Sequence, residues 1–121
     1  MKDLRGARMP IVVQDLGGGV TRVVLSGRID IAGAQEIDMP MNVIGGTKKA
    51  VVIDLAGVEF LASIGLRSLV QCAKTVQVKG GRAVLLSPTP PVAEVIRFAG
   101  IDELIPILED DAEAVAAVKP G

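Results

Sequence analysis

Ser63 is the residue whose type and position most clearly suggest chemistry. It follows a buried-strand pattern at residues 50–55 and a short connection, and it precedes apolar residues at helical spacing. A helix start presents unpaired N–H groups and a partial positive charge, so it favours a phosphate group. The sequence therefore predicts a hydroxyl that can be phosphorylated at the start of a helix.

The same position also has a purely structural interpretation. Serine is among the preferred helix N-caps, where its side chain stabilises the helix by about 1 kcal/mol. The residue three positions on is Leu66 rather than Glu or Gln, so the capping box is incomplete. Spacing alone favours capping over modification, and one serine can serve both purposes.

Most kinds of catalysis lack the residues that they need. The chain has no His, which removes the commonest general base, the commonest zinc ligand and any Ser-His or Cys-His nucleophile. The single Cys72 is predicted on a buried helical face, where cysteine acts as a small hydrophobe. The triple glycine at residues 17–19 precedes a strand pattern, whereas a phosphate-binding loop needs a helix there. We therefore expect no catalytic residues, no metal and no cofactor.

The composition fits one small domain that binds proteins. The chain has 121 residues, of which 50% are hydrophobic and 2% aromatic, so aliphatic side chains must build the core. Lys and Arg number 13 against 14 acidic residues, which leaves no basic field for nucleic acid. There is no signal sequence and no stretch of roughly 20 apolar residues, so we expect a cytoplasmic protein that does not insert into a membrane.

Strand and helix patterns alternate along the chain. β-branched runs on either side of the triple glycine predict an antiparallel pair, and later apolar runs predict buried strands. Apolar residues at three- and four-residue steps predict helices between them, including one capped by Thr89 and one capped by Asp110 or Asp111. The order β-β-α-β-α-β-α-β-α predicts a single α/β domain with a mixed, mostly parallel sheet of four to five strands and about four helices.

Three local features carry more specific expectations. Pro40 indicates a kink or a late start in the first helix, and Gly45 and Gly46 are expected to end it. The glycines at 80 and 81 are expected to end the second helix. Residues 56–63 are expected to form a loop that is held to the core by three side chains, Val58, Phe60 and Leu61.

The segment around Ser63 resembles a known family signature. Residues 27–30, 80–82 and 98–101 match further landmarks of the same family. The signature segment is Asp54-Leu55-x-x-Val58-x-Phe60-Leu61-x-Ser63-x-Gly65-Leu66. Together these segments resemble STAS domains, especially bacterial anti-sigma factor antagonists. The resemblance implies a STAS domain at residues 9–118, with a flexible N-terminus at 1–8 and a tail at 119–121.

The resemblance also implies a phosphorylation switch. Antagonists of this family bind an anti-sigma factor that is also a serine kinase, and binding frees a sigma factor for transcription. The kinase phosphorylates the serine that aligns with Ser63, the phosphorylated form lets go, and a serine phosphatase restores it. The serine is thus a substrate, and the resemblance implies that the domain itself is not an enzyme. A free domain of this kind is expected to be a monomer or a weak dimer.

The implied docking surface combines the helix start at Ser63 with the turn at residues 28–32. Asp30 aligns with an acidic family position, although a turn-forming role explains it equally well. The family often has Asp in place of Ala62, and Ser or Thr in place of Ile64. Arg67 is a candidate for pairing with a phosphate or a partner acid, against the alternative of a solvated side chain. The residues assigned to partner binding are Asp30, Ala62, Ser63, Ile64, Gly65 and Arg67.

Two other functions stay open. The chain could be a STAS subunit that docks on a membrane transporter, such as a lipid-import complex, with Ser63 never modified. It could also be a small nucleotide-binding protein or enzyme, which the sequence barely supports.

Overall fold

A computed structural model describes residues 10–120, which form five strands, four α-helices and one turn of 3-10 helix at Ile101–Glu103. The predicted flexible stretch at 1–8 and Gly121 of the predicted tail lie outside the described residues. The strands are β1 (Ile11–Gly17), β2 (Val20–Ile29), β3 (Ala50–Leu61), β4 (Arg82–Leu86) and β5 (Ile107–Leu108). The helices are α1 (Ile31–Thr47), α2 (Ser63–Val78), α3 (Pro90–Phe98) and α4 (Asp111–Val118).

The strands form one mixed sheet in the order β1-β2-β3-β4-β5. β1 and β2 pair antiparallel across the predicted glycine turn, where Gly18 and Gly19 have φ angles of 63° and 84°. The other neighbours are parallel, because each crossover contains a helix. The predicted α/β class, mixed sheet and four helices are confirmed.

The sheet is covered on both faces by aliphatic side chains. One face packs against α1, α2 and α3, and the other packs mainly against α4. On the α4 side, Arg22 of β2 forms an ion pair with Asp111. None of the helices in residues 10–120 is both long and apolar enough to cross a membrane. The largest fully buried side chains include Leu25, Ile29, Ile37, Met41, Ile53, Leu55, Leu69, Leu85 and Ile96.

The predicted loop at residues 56–63 is wrong, because β3 continues to Leu61. The second half of β3 pairs with Ser26–Ile29 of β2. These two segments are about 30 residues apart in sequence, so no local pattern reveals their contact. Val58 and Leu61 are buried as predicted, whereas Phe60 is 41% exposed. The strand therefore delivers the chain directly to the start of α2.

Helix α1 also differs from its prediction. It begins at Ile31 and runs through Pro40, so that proline lies inside the helix and not near a late start. Gly45 and Gly46 do not end the helix, which continues to Thr47. A Cβ atom on Gly45 would lie 3.2 Å from Cα and from the carbonyl oxygen of Cys72, so this glycine allows α1 and α2 to pack closely.

The ends of the other helices follow the sequence signals more closely. Gly80, with φ of 85°, follows the end of α2, as predicted. Asp110 caps α4 by accepting a hydrogen bond from the Glu113 N–H at 2.9 Å. Thr89 is the N-cap residue of α3, but its hydroxyl donates to the Val58 carbonyl oxygen at 3.1 Å, so it ties α3 to β3 instead.

Cys72 lies on the buried side of α2 and is 1% exposed, as predicted. Burial raises the pKa of its thiol to about 11, although Lys79 opposes part of that shift. The folded thiol keeps its proton up to this pH, whereas an unfolded thiol loses it near its ordinary pKa of 9.0. We expect the thiol's contribution to stability to be complete below pH 9 and to be lost between pH 9 and 11. Urea unfolding of wild type and Cys72→Ala at pH 8 and pH 10.5 checks this, since the variant must lack that part of the decline.

Candidate functional site

Two parallel strands end side by side at one edge of the sheet. Ile29 at the end of β2 is in register with Leu61 at the end of β3. The Ala62 N–H donates to the Ile29 carbonyl oxygen at 2.9 Å, which ties the two chain segments together. Helix α1 begins two residues after Ile29, and α2 begins two residues after Leu61. The fold thus places two helix starts next to each other, and it brings the predicted turn at residues 28–32 beside Ser63.

Ser63 is the first residue of α2, and its side chain is exposed. The N-cap position belongs to Ala62, which has no side-chain acceptor, so the capping interpretation of Ser63 is wrong. Within residues 10–120 the Ser63 hydroxyl makes no hydrogen bond to another residue. The hydroxyl is therefore accessible, is not held by a hydrogen bond within the described residues, and lies at the positive end of the helix dipole.

Asp30 acts as the N-cap of α1. Its side-chain Oδ1 accepts a hydrogen bond from the Gly33 N–H at 2.9 Å, and the residue is half-buried. This geometry agrees with the turn-forming role that the sequence allowed. The capping bond fixes this carboxylate at the start of α1, which the hydrogen bond between Ala62 and Ile29 brings next to the start of α2.

Gly65 is buried, and packing explains why this position holds a glycine. A Cβ atom there would lie 2.6 Å from Cγ2 of Ile29 and 3.1 Å from Cδ1 of Leu61. Real Cβ atoms do not approach other atoms as closely as the first of these distances. The missing side chain lets the first turn of α2 rest directly on the strand ends, and so it fixes the position of Ser63.

The exposed face of α2 continues from Ser63 into a shallow groove. Ile64 and Arg67 line this groove, which has a volume of about 390 Å³ and lies between α1 and α2. Arg67 is exposed and lies one helical turn after Ser63, so it is on the same side of the helix. At the groove, the Ser68 hydroxyl donates to Asp38 Oδ1 at 2.9 Å and links α2 to α1.

Sequence reasoning missed an apolar rim around this helix start. Ile31 is 67% exposed and Ile64 is 45% exposed. Phe60, which was predicted to face the core, lies with its ring centroid 4.6 Å from the Arg28 guanidinium carbon. Strict alternation along β3 would place Phe60 on the same face as the buried Val58. The pairing with β2 shifts register between these two residues, so Phe60 is exposed instead, and no local pattern indicates that shift. We define the docking face as Ile31, Phe60, Ile64, Ser63 and Arg67.

The site has no arrangement that suggests a bound metal. Across residues 10–120 there is no group of three or more His, Cys, Asp and Glu side chains that could hold an ion. What the geometry provides is one accessible hydroxyl, two neighbouring helix starts and a partly apolar surface. These are features of a surface that another protein can contact and modify.

Comparison with known proteins identifies similar sequences and structures. The chain is similar to an anti-sigma F factor antagonist of Paenibacillus polymyxa, with 25% identity over 103 residues that cover 84% of this chain and 88% of the relative. It is also similar to the crystal structure of an anti-sigma factor antagonist from Mycobacterium paratuberculosis, with 30% identity and a TM-score of 0.80. That match covers 91% of this chain and 93% of the other.

The fold also occurs in a protein of the sulfate transporter family from Wolinella succinogenes. The TM-score is 0.68 over 82% of this chain and 84% of that one, and the identity of 17% shows the fold alone. The family model for the STAS domain matches residues 14–114, which is most of the sequence. The chain belongs to the STAS domain family.

Proposed function

We propose that this STAS domain is an anti-sigma factor antagonist, and that phosphorylation of Ser63 releases it from its partner. The observation that carries the proposal is the exposed, uncommitted Ser63 hydroxyl at the start of α2. The names of the similar proteins from Paenibacillus polymyxa and Mycobacterium paratuberculosis support the binding role.

In the unmodified state, the docking face offers mainly apolar contact area. Ile31, Phe60 and Ile64 are each at least 41% exposed, and an anti-sigma factor would cover them on binding. Burial of apolar surface drives such association, and a neutral Ser63 hydroxyl costs little when it is covered. Removal of the anti-sigma factor in this way would free a sigma factor.

A phosphate on Ser63 would make binding of the partner unfavourable. It adds about −1.5 to −2 charges at pH 7, and these must lose their hydration in the covered interface. On the free domain the same group is well placed, because the N-terminal N–H groups and the dipole of α2 favour an anion. Phosphorylation would therefore stabilise the free state over the bound state.

Ser63 acts as a substrate in this scheme, so we propose a binding module and not an enzyme. An anti-sigma factor with serine kinase activity would transfer the γ-phosphoryl group of ATP to the Ser63 hydroxyl oxygen. A serine phosphatase would return the domain to its binding state. Ala62 adds no acid directly before the modified residue, so Asp30 at the neighbouring start of α1 is the acid whose charge a phosphate on Ser63 would face.

Mass spectrometry of the protein isolated from its native cells tests the proposal. We expect a phosphoryl group on the peptide that contains Ser63 under some growth or stress conditions, and none in a Ser63→Ala control. If the wild-type peptide stays unmodified under all conditions, the switch is wrong. The domain would then be better explained as a constitutive docking subunit, for example on a membrane transporter.

A further inference from the structure

Strand β1 forms one edge of the sheet, and no strand within residues 10–120 pairs with its outer side. The Pro10 carbonyl oxygen accepts a hydrogen bond from the Ser26 N–H at 3.0 Å. Backbone groups of an antiparallel pair alternate in direction along the strand. Those of residues 12 and 14 therefore point to β2, whereas those of Ile11, Val13 and Asp15 point outward.

The side chains of β1 do little to block this edge. Val13 is 49% exposed and Val12 is 39% exposed, and the strand contains neither Lys nor Pro. Natural edge strands are commonly protected by such residues or by a bulge. The only irregularity in β1 lies between Asp15 and Gly17, beyond the outward-facing groups of Ile11 and Val13.

We propose that β1 pairs antiparallel with β1 of a second copy of this chain, with the two-fold axis at Val13. In this register Val13 faces Val13 of the second copy, and Ile11 faces Asp15. All three pairs present outward N–H and C=O groups to each other, so each pair can exchange two hydrogen bonds, about six in all. The two five-stranded sheets would become one continuous sheet.

The charges and side chains of β1 suit a second copy. The only charged residue of the strand is Asp15, and the two Asp15 side chains would be four residues apart along the interface, about 14 Å. Each would lie opposite an apolar Ile11, so no like charges oppose each other directly. A seven-residue strand buries less than the roughly 1,200–2,000 Å² of a standard interface. We therefore expect a weak dimer with a dissociation constant on the order of 10–100 µM.

Sedimentation of the full chain over a concentration series tests the proposal. We expect wild type to shift from monomer to dimer, and both Val13→Lys and Val13→Asp to stay monomeric, because like charges would meet on the axis. An equimolar mixture of these two variants should regain the dimer, since Lys then faces Asp. Val95→Lys is the matched control, because it charges an exposed valine of α3, which packs against the central strand β3, and it should dimerise as wild type does.

Val13→Pro tests the same interface by removing a hydrogen-bond donor instead of adding a charge. It removes the outward N–H without breaking the ladder to β2, so a folded monomer by circular dichroism is expected. A wild-type chain that stays monomeric to about 1 mM overturns the proposal. So does a Val13→Lys variant that still dimerises, which would place the interface elsewhere. If a chain without residues 1–9 dimerises where the full chain does not, that segment covers the edge and the proposal is wrong.

Discussion

Ser63→Asp is expected to weaken binding to the cognate anti-sigma factor by about 100-fold while leaving the domain at least as stable as wild type. The carboxylate would be covered in the complex without a partner charge, and a penalty of about 2–3 kcal/mol corresponds to this loss of affinity. In the free domain an acid in the first turn of α2 interacts favourably with the helix dipole. Titration calorimetry with the purified anti-sigma factor measures the first effect, and thermal unfolding measures the second.

Two further variants test whether the loss of binding depends on position 63 or follows from any added negative charge. Ser63→Ala should bind as wild type does and should keep binding after incubation with ATP, because it has no hydroxyl to modify. Ala112→Asp adds the same charge to the first turn of α4, which packs on the other face of the sheet, and should bind normally. A Ser63→Asp domain that binds within about threefold of wild type would remove the electrostatic basis of the switch.

Gly65→Val is expected to lower the free energy of unfolding by about 3 kcal/mol or more. Its Cβ alone would lie 2.6 Å from Cγ2 of Ile29, a branched side chain that is fully buried and has little freedom to move. Two additional methyl groups enlarge the clash, so α2 must move away from the strand ends. Urea denaturation followed by circular dichroism measures the loss.

Gly46→Val is the matched control, because it makes the same change inside a helix. A Cβ atom at Gly46 would have no neighbour within 4 Å, and the residue is exposed. Valine and glycine differ by only about 0.4 kcal/mol in helix propensity, so we expect a change of less than about 0.5 kcal/mol. Equal losses in the two variants would show that contact with Ile29 does not explain the effect at Gly65, since valine has the better helix propensity of the two residues.

Features with local causes could be predicted from the sequence. The glycine turn of the hairpin, the Asp110 cap and the helix end at Gly80 depend on residues close together in the chain. The start of α2 at Ser63 was also predictable, because an apolar pattern changes there from continuous to helical spacing. These signals were sufficient to predict the α/β class and to place Ser63 at the start of a helix.

Features that depend on tertiary contacts could not be predicted in the same way. The extension of β3 to Leu61 needs the end of β2 as its partner, and the exposure of Phe60 depends on a register shift within that pairing. Gly45 looks like a helix terminator in sequence, yet it serves the contact between α1 and Cys72 of α2. In each case a distant segment decides between two locally reasonable structures.

The contact between Gly65 and Ile29 bears on how quickly the domain could respond. Since the first turn of α2 rests directly on the strand ends, the helix has no space to move closer to the sheet, whatever group Ser63 carries. Under the proposed function, a phosphate on Ser63 would therefore act through its charge and not by drawing α2 toward the sheet. A switch of this kind needs no inward movement of the helix, so no such step would delay its effect on partner binding.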